Sequence, residues 1–587
     1  MKVVEFKDFS LRYLRSEEQS LKNINVSFEK GTTVGLLGPA GAGKTTFLKA
    51  LMGIVPHIEP GYIDGSVTID GMDNAEHKVA QIAHRVALVL ENPDVQIFSL
   101  TVGDDVAFGP KNLGMPADDI VRRVERAMQE TGIVALRERN PNDLSGGQQQ
   151  TLAIAGAVAM EPKVLAMDEP TAMLDPVGKD EVMAVVERIT KGDTQATTVI
   201  AESGADLEAL AGKLDQVVVL HEGEVILDGP AEEVLIDAKL NEVGVGRPQV
   251  TELFVRLRDA GAEVPKIPVS LEQAAESLRR LLVGAGIGRI EVPADYGRPD
   301  QRSLGEPVVR IRNLHHTYKP NVRALRGVDL DIHRGELLGI IGQNGSGKTT
   351  MSYHLVKLLK PTNKDAVVEV LGQGVEKLKL REVIGQINYI FQNPDEQIFA
   401  DRVRDEIGFA PMMMEYGEEE TEQAIEEALD IFNLRGHGDD YTMKLPQDLK
   451  TYLSIACIYP LKPKVYIIDE PTTGLDTHGI EVMMGALRVL RDAGHTIAIV
   501  THDMETVARY CDRAAVMLDG QVLMAGTTRE VFAQPERLIE ADIKPPQITQ
   551  LGHMLSDTGM PMDILTVPEM ANILLPNLGV GSPVRRG

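Results

Sequence analysis

Short apolar runs alternate with longer stretches of helical spacing along the whole chain. The runs VGLL at 34–37 and LLGII at 337–341 each end at a glycine-rich turn and lead into a helical pattern. Apolar runs of this length between turn residues indicate buried strands, and their alternation with helices favours a largely parallel sheet. The pattern therefore predicts an α/β fold.

The pattern occurs twice. Four pairs of segments match: GPAGAGKTT at 38–46 with GQNGSGKTT at 342–350, ENPDVQIF at 91–98 with QNPDEQIF at 392–399, DDVAFGP at 104–110 with DEIGFAP at 405–411, and VLAMDEPTAMLD at 164–175 with VYIIDEPTTGLD at 465–476. RPQVTELFVRL at 247–257 likewise matches PPQITQLGHML at 545–555. Such a repeat predicts two copies of one unit. We expect a first domain over 1–238 with an extension over 239–283, a linker over 284–306, a second domain over 307–536 and its extension over 537–587.

Composition narrows the class of protein. The 587 residues include 87 acidic and 60 basic side chains, which gives a net charge of −27. A surface this acidic repels nucleic acid, so we expect no nucleic-acid partner. The longest apolar runs are far shorter than a membrane span, and the two cysteines, Cys457 and Cys511, are too few for a disulfide framework. We expect a soluble protein of the cytosol with buried thiols.

Both copies carry the GxxxxGK[ST] pattern of a P-loop, placed between an apolar strand and a helix. Its glycines let backbone N–H groups crowd around phosphate oxygens, its lysine reaches the β- and γ-phosphates, and its threonine hydroxyl binds Mg²⁺. The pattern therefore predicts two nucleotide sites. The predicted binding residues are Gly38, Gly41, Gly43, Lys44, Thr45 and Thr46 in the first copy, and Gly342, Asn344, Gly345, Gly347, Lys348, Thr349 and Thr350 in the second.

An apolar strand in each copy ends in two carboxylates, Asp168-Glu169 and Asp469-Glu470. We expect the aspartate of each pair to contact Mg²⁺ together with the P-loop threonine. The glutamate can polarise a hydrolytic water, which makes Glu470 a candidate base. An acidic pair at a strand end is often a solvated loop, but each pair here is followed by Pro-Thr and stands downstream of a P-loop, which favours the functional interpretation.

The segments GPAGAGKTT, LSGGQQQ at 144–150, VLAMDEPTAMLD and IVTHD at 499–503 together resemble the motif set of ABC ATPases. NPDxQIF and the C-terminal extension resemble more specifically the ATPases of energy-coupling-factor importers, which take up vitamins and transition-metal ions. This resemblance implies two P-loop ABC-type nucleotide-binding domains with parallel-sheet cores, each with a helical subdomain and a small C-terminal extension. It also implies ATP and Mg²⁺ as cofactors.

The same resemblance assigns roles to four further residues. Tyr13 and Tyr318 stand where an aromatic ring stacks on adenine, although a tyrosine on a surface strand is the alternative. Gln392 stands beside Mg²⁺ and the attacking water, and His502 stands at the γ-phosphate. Glu470, His502 and Gln392 are thus the expected catalytic residues.

Integral membrane transporter subunits are the partners that the resemblance implies. They would be received in grooves near two stretches that we call the docking segments, residues 94–98 (Asp94 to Phe98) and 395–399 (Asp395 to Phe399). The protein is then expected in the cytoplasm, on the inner face of the cell membrane. We interpret PMMMEYGEEE at 411–420 as a loop leading into an acidic helix, and a partner groove lined by its methionines as the alternative.

In ABC ATPases two domains associate head to tail, so that each ATP lies between the P-loop of one domain and the LSGGQ of the other. Ser145, Gly147 and Gln148 belong to the LSGGQ of the first copy and are expected to bind the nucleotide of the second P-loop. A serine hydroxyl and free N–H groups at the start of a helix attract phosphate.

Residues 445–450 read LPQDLK where the second copy should read LSGGQ. Pro446 removes a hydroxyl and an N–H group, and Asp448 adds a negative charge where a phosphate should lie. Proline and aspartate both suit a first helical turn, so we expect the helix itself to form. In the first copy Glu91 and Glu202 replace the glutamine and the histidine of the second. Head-to-tail pairing would place all these departures in one site and leave the other intact.

Three functions remain open at this point. The chain could energise an importer, act as a soluble tandem ABC ATPase that switches a macromolecular partner, or serve as an ATP-binding scaffold without hydrolysis. The acidic surface weakens a ribosomal role, and the intact second site argues against a scaffold. NPDxQIF favours the importer.

Overall fold

Each half of the chain builds the same pair of sheets. The computed structural model of the protein describes residues 2–172, 174, 176–192, 195–204, 207–294, 296–297, 304–319 and 321–580. The chain forms two compact units, one of residues 1–258 and 263–277 and one of residues 259–262 and 278–587. Residues 295 and 298–303 of the predicted linker lie outside the described residues.

The described residues of the first unit form ten strands in two sheets. They are β1 (Lys2–Tyr13), β2 (Leu21–Glu29), β3 (Thr33–Leu37), β4 (Gly61–Ile69), β5 (Met72–Asp73), β6 (Val86–Val89), β7 (Val164–Asp168), β8 (Thr197–Glu202), β9 (Gln216–His221) and β10 (Glu224–Pro230). One sheet has the order β2-β1-β4-β5 and is antiparallel, and the other has the order β10-β9-β3-β8-β7-β6. All pairs of the second sheet are parallel except β10 with β9.

The helices of the first half surround these sheets. They are α1 (Lys44–Leu51), α2 (Ile54–His57), α3 (Val79–Ile82), α4 (Val102–Val106), α5 (Phe108–Asn112), α6 (Ala117–Thr131), α7 (Gly146–Val158), α8 (Pro176–Lys191), α9 (Leu207–Leu210), α10 (Ala231–Val234), α11 (Lys239–Glu242), α12 (Gln249–Asp259) and α13 (Leu271–Gly284). Single 3-10 turns lie at Pro93–Val95, Val134–Leu136, Pro141–Asp143 and Ala211–Lys213. The chain passes from the first unit to the second within α13.

The second unit repeats the same strand orders. Its strands are β11 (Pro307–Tyr318), β12 (Val322–His333), β13 (Leu337–Ile341), β14 (Val367–Val370), β15 (Gln373–Gly374), β16 (Ile387–Ile390), β17 (Val465–Asp469), β18 (Thr496–Val500), β19 (Arg513–Leu518) and β20 (Gln521–Thr527). They pair as β12-β11-β14-β15 and as β16-β17-β18-β13-β19-β20.

The helices of the second unit follow the same plan. They are α14 (Lys348–Leu355), α15 (Leu380–Ile384), α16 (Val403–Met413), α17 (Glu418–Ile431), α18 (Gln447–Ala456), α19 (Thr477–Asp492), α20 (Met504–Tyr510), α21 (Thr528–Phe532), α22 (Pro535–Glu540), α23 (Gln547–Met554) and α24 (Val567–Asn577). Single 3-10 turns lie at Val375–Lys377, Pro394–Glu396, Thr442–Lys444, Tyr459–Leu461 and Ser556–Thr558.

Burial separates the two kinds of sheet. Every residue of β3, β7, β13 and β17 is buried, as expected of parallel strands covered by helices on both faces. This confirms the predicted α/β fold. The four-stranded antiparallel sheets were not predicted, because strands such as β11 and β12 mix buried and exposed positions and lack a continuous apolar run.

Two further expectations concern the class of protein. No helix among the described residues has both the length and the apolar character needed to cross a bilayer. Cys457 and Cys511 are both buried, as predicted, and neither forms a disulfide bond. Burial raises the pKa of the Cys457 thiol to about 12, so this thiol stays protonated.

Candidate functional site

Each P-loop joins a buried parallel strand to a helix that begins at the lysine of the loop. Nζ of Lys44 donates hydrogen bonds to the carbonyl oxygens of Gly38 and Pro39, at 2.7 and 3.1 Å. Nζ of Lys348 donates to the two corresponding carbonyl oxygens at 2.7 and 2.9 Å. Both ammonium groups are held inside their loops, where the phosphates of a nucleotide can reach them.

Left-handed backbone closes both loops. Gly43 and Gly347, which directly precede α1 and α14, have φ angles of 104° and 100°. Gly41 and Gly345 have φ angles of 77° and 81°. A Cβ atom on Gly43 would lie 2.9 Å from the carbonyl oxygen of Ser20. Only glycine fits here, and the first N–H groups of each helix are left available to an anion.

The predicted adenine residues stand beside these loops. The hydroxyl of Tyr13 lies 3.3 Å from Oγ1 of Thr46, and the hydroxyl of Tyr318 lies 3.3 Å from Oγ1 of Thr350. Asn344, the remaining predicted residue of the second loop, is exposed. Each tyrosine ring is therefore tied to the helix that follows its P-loop, a position from which it can cover a nucleotide base.

The threonine and the aspartate predicted to bind Mg²⁺ meet in both units. Oγ1 of Thr349 donates a hydrogen bond to Oδ2 of Asp469 at 3.0 Å, and Thr45 bonds the carboxylate of Asp168. No group of three or more His, Cys, Asp or Glu side chains in the described part of the chain is arranged to hold a metal ion. A hydroxyl and a carboxylate suit Mg²⁺, which keeps several waters and takes further oxygens from nucleotide phosphates.

Glu470 is buried at the end of β17 and has a left-handed backbone, with a φ angle of 48°. Nδ1 of His502 lies 2.8 Å from its Oε1, and Oγ1 of Thr501 donates to its Oε2 at 3.0 Å. Burial raises the pKa of Glu470, but the charge and hydrogen bond of His502, the charge of Lys348 and the hydrogen bond of Thr501 together hold the pKa below its usual value. The carboxylate is therefore kept ionised, the state in which it can accept a proton from water.

Glu169 occupies the corresponding position in the first unit with different partners. Its Oε1 lies 3.5 Å from Nζ of Lys44, and Oγ of Ser203 donates to its Oε2 at 3.4 Å. Burial raises the pKa of Glu169 above its usual value even though the charge of Lys44 opposes the shift. The two glutamates thus stand at the same place in the fold and differ in their tendency to hold a proton.

Tyr389 is a site residue that the sequence analysis missed. It lies on β16, and its hydroxyl donates a short hydrogen bond to Oδ2 of Asp469. Burial raises the pKa of Asp469, and the bond from Tyr389 opposes this shift. The signal available in the sequence is a hydroxyl group inside the buried run INYI, because a buried hydroxyl usually has a partner.

Gln392 lies exposed two residues beyond β16. Among the described residues its side chain makes no hydrogen bond with Asp469 or Glu470, so the structure does not bring the predicted catalytic glutamine to the carboxylates. Glu91 stands at the corresponding place in the first unit. Partial burial, and then the negative charges of the Asp168-Glu169 pair, raise the pKa of Glu91.

Ser145 is the N-cap of α7 and forms a capping box with Gln148. Oγ of Ser145 accepts from the backbone N–H of Gln148, and the backbone N–H of Ser145 donates to Oε1 of Gln148, both at 3.3 Å. A Cβ atom on Gly147 would lie 3.0 Å from Cα of Gly178. Gly147 therefore has a packing role that the sequence analysis did not predict, besides its proposed place near a phosphate.

The helix at LPQDLK forms, as predicted. α18 begins at Gln447, with Pro446 as an N-cap residue that makes no side-chain bond and Asp448 in the first turn. The hydroxyl of Tyr452 donates to the carbonyl oxygen of Gly479 at 3.2 Å, which ties α18 to α19. The start of α18 therefore lacks the capping hydroxyl of α7. Its first turn also carries an acidic residue, whereas the first turn of α7 has none.

A family model described as ABC transporter matches residues 21–172 and residues 325–473. These two stretches contain both P-loops and both Asp-Glu pairs.

Similar proteins match the chain over nearly its whole length. One from Caldanaerobacter subterraneus, which carries the provisional name ABC transporter ATP-binding protein, is 34% identical over 97% of this chain and 98% of its own. One from Methanosarcina mazei with the same provisional name is 34% identical over 97% of this chain and 97% of its own. A solved structure, cbiO1 of Clostridium perfringens, described as part of the ABC transporter complex cbiONQ, is 31% identical, with a TM-score of 0.38, over 43% of this chain and 99% of its own.

Proposed function

Because the chain belongs to the ABC transporter family of ATP-binding proteins, we propose that this ATPase is the energy-coupling subunit of an importer. The importer is of the energy-coupling-factor type, which takes up vitamins or metal ions. In this proposal the protein lies in the cytoplasm, on the inner face of the cell membrane, and integral membrane subunits hold it there through the two docking segments.

The observation that carries the proposal is an exposed pair of phenylalanines at each docking segment. The rings of Phe98 and Phe108 are 5.4 Å apart, and their side chains are 66% and 43% exposed. The rings of Phe399 and Phe409 are 4.6 Å apart, at 63% and 36% exposure. Two large apolar rings left in water at the same place in both units support a surface that an apolar partner segment covers.

The first phenylalanine pair lines a cavity of about 250 Å³. Met52, Met160 and Gly156 are among the other residues that line it. A cavity of this kind can take one or two apolar side chains of a partner helix, which supports docking by insertion.

The second docking surface extends further along α16. Met412 and Met413 end this helix and are 61% and 60% exposed. The acidic helix predicted after them is α17 (Glu418–Ile431), but the methionines themselves are helical rather than part of a loop. Their exposure beside Phe409 favours the alternative interpretation, in which they contact a partner.

We assign hydrolysis to the site built on Lys348, which has the ionised Glu470 and the imidazole of His502. Head-to-tail pairing would complete this site with Ser145 and its capping partner. The other site would combine Lys44 with the glutamates of the first unit and with the LPQDLK helix. That site retains a P-loop for binding but lacks the groups that speed hydrolysis.

Binding to membranes tests the importer function. We expect the chain to sediment with membrane vesicles of its source cells, and Phe98→Ser with Phe399→Ser to release it, because each docking segment then loses its apolar ring. Val121→Ser with Ile539→Ser is the matched control, since these side chains are 61% and 71% exposed outside the docking segments. If the phenylalanine variant stays bound to the vesicles, the docking segments are not the membrane contact. That result, or migration of the wild type with soluble complexes only, would favour the soluble ATPase that switches a macromolecular partner.

A further inference from the structure

Side chains of the second docking segment reach the helix at LPQDLK. Nζ of Lys450 lies 2.7 Å from Oδ1 of Asp395, and the lysine side chain is only 11% exposed. Nε2 of Gln397 donates to the carbonyl oxygen of Ser454 at 2.6 Å and lies 3.0 Å from Sγ of Cys457. Two residues of the docking segment are thus bonded to α18 and to the residue that caps its end.

The first unit lacks this link. Gln149, which corresponds to Lys450, donates to the carbonyl oxygen of Pro141 at 3.3 Å. Nε2 of Gln96 donates to the carbonyl oxygen of Leu88, on β6, at 2.9 Å. Within the described residues the carboxylate of Asp94 has no hydrogen bond or ion pair. The first docking segment is therefore bonded to the sheet rather than to its LSGGQ helix.

Breaking the ion pair between Lys450 and Asp395 is unfavourable because the lysine side chain is largely buried. A largely buried lysine side chain is unfavourable unless an opposite charge pairs with its ammonium group. Asp395 is the carboxylate that supplies this charge, and it stands on the docking segment. Asp395 itself is 46% exposed, so a displacement of the segment either carries α18 with it or breaks the partner bond of a largely buried lysine.

We propose that Lys450 is a positioning residue that couples the second docking segment to the LPQDLK helix. The helix then transmits movement between a docked partner and the nucleotide sites, although its start is unsuited to a phosphate. This inference rests on the proposed function for the identity of the partner, but the coupling itself is a property of the chain alone. It gives a physical reason why a helix without LSGGQ chemistry keeps its lysine.

Hydrogen exchange in the full chain tests the coupling without any partner. Adding ATP with Mg²⁺ should slow amide exchange in residues 395–399 and residues 447–456 together in the wild type. Lys450→Gln places the residue of the first unit, glutamine, at this position. In this variant one of the two segments should keep its slowing of amide exchange, while the slowing in the other should become about three-fold smaller or more. Equal slowing of both segments in the variant overturns the proposal.

A double-mutant cycle separates coupling from simple support of the fold. We expect Lys450→Gln and Asp395→Asn to be non-additive in this exchange difference, because either change breaks the same bond. Gln149→Ala and Asp94→Asn, the matched pair in the first unit, should be additive. Additive effects in the second unit, with unchanged melting of each variant, would contradict the proposal.

Membrane vesicles of the source cells then distinguish this inference from the proposed function. If the wild type binds vesicles and they stimulate its ATPase, Lys450→Gln should lower the ratio of stimulated to basal turnover about three-fold or more. A merely structural role would lower both rates together and keep the ratio. If the wild type ignores the vesicles, the importer function fails, while the exchange experiment still decides the coupling.

Discussion

Nδ1 of His502 lies 2.8 Å from Oε1 of Glu470, and this contact helps to lower the pKa of the candidate base. The expected counterpart in the first unit, Glu202, is not the residue at this position: Asp168 pairs with Ala201 and Asp469 with Val500, so Ser203 corresponds to His502. A protonated imidazole lowers the pKa of a neighbouring glutamate through its charge, whereas the hydroxyl of Ser203 can offer only a hydrogen bond. The two units therefore hold their glutamates in different electrostatic surroundings, although their backbones follow the same plan.

Replacing each glutamate separately should show which site hydrolyses ATP. Glu470→Gln removes the ionised base and should lower the steady-state ATPase rate by about 10²-fold or more. Glu169→Gln should lower the rate much less, because the pKa of Glu169 is raised and no histidine supports its carboxylate. Equal losses in the two variants would show that both sites hydrolyse ATP.

The pH dependence of turnover should report on His502. The pKa of Glu470 is lowered, so the carboxylate stays ionised until the pH falls below the usual range of a glutamate. His502→Gln removes the opposing charge and leaves burial, which raises the pKa, so the acidic limb of the kcat profile should move to higher pH. His437→Gln, at an exposed His-Asp pair, is the control. An acidic limb that stays in place would exclude His502 as the cause.

Magnesium dependence should report on Tyr389. Tyr389→Phe removes a hydrogen bond to Asp469, so the pKa of this carboxyl should rise further and protons should compete better with Mg²⁺. The Mg²⁺ concentration for half-maximal ATPase should increase by up to about ten-fold. Tyr466→Phe is a matched control on the neighbouring strand β17, and an equal change there would point to the sheet rather than to the carboxylate.

Removing the hydroxyl of Tyr466 should stabilise the fold. Its side chain is fully buried, and its hydroxyl has no hydrogen-bond partner among the described residues. Tyr466→Phe removes a buried polar group that gains nothing in the folded state, so the free energy of unfolding should rise by about 1 kcal/mol. Denaturant titration measures this change. A loss of stability would indicate that the hydroxyl has a water partner.

The local motifs could be predicted from the sequence, and their long-range partners could not. The P-loops and the Asp-Glu pairs are short strings whose chemistry depends on neighbouring residues in the chain. Tyr389 reaches Asp469 across 80 residues, and Lys450 reaches Asp395 across 55. Such contacts depend on which strands and helices pack together, which a single sequence does not determine.

The packing role of Gly147 shows a second limit. The sequence analysis explained the need for glycine at this position by the close approach of a phosphate. The structure adds a second explanation, the close packing against Gly178. Either reason alone would exclude a larger side chain, so the residue type could not distinguish them. The antiparallel sheets were missed for a related reason, since their strands show no single period.

Because both thiols are buried, the native protein should react only slowly with alkylating reagents. Both cysteines lie in the second unit, and the first unit contains none. A cysteine introduced on the surface of either unit can therefore carry a spin label or a fluorophore without removal of the natural ones. With one such label on each half, the distance between the two labels could be measured at each stage of the ATP cycle.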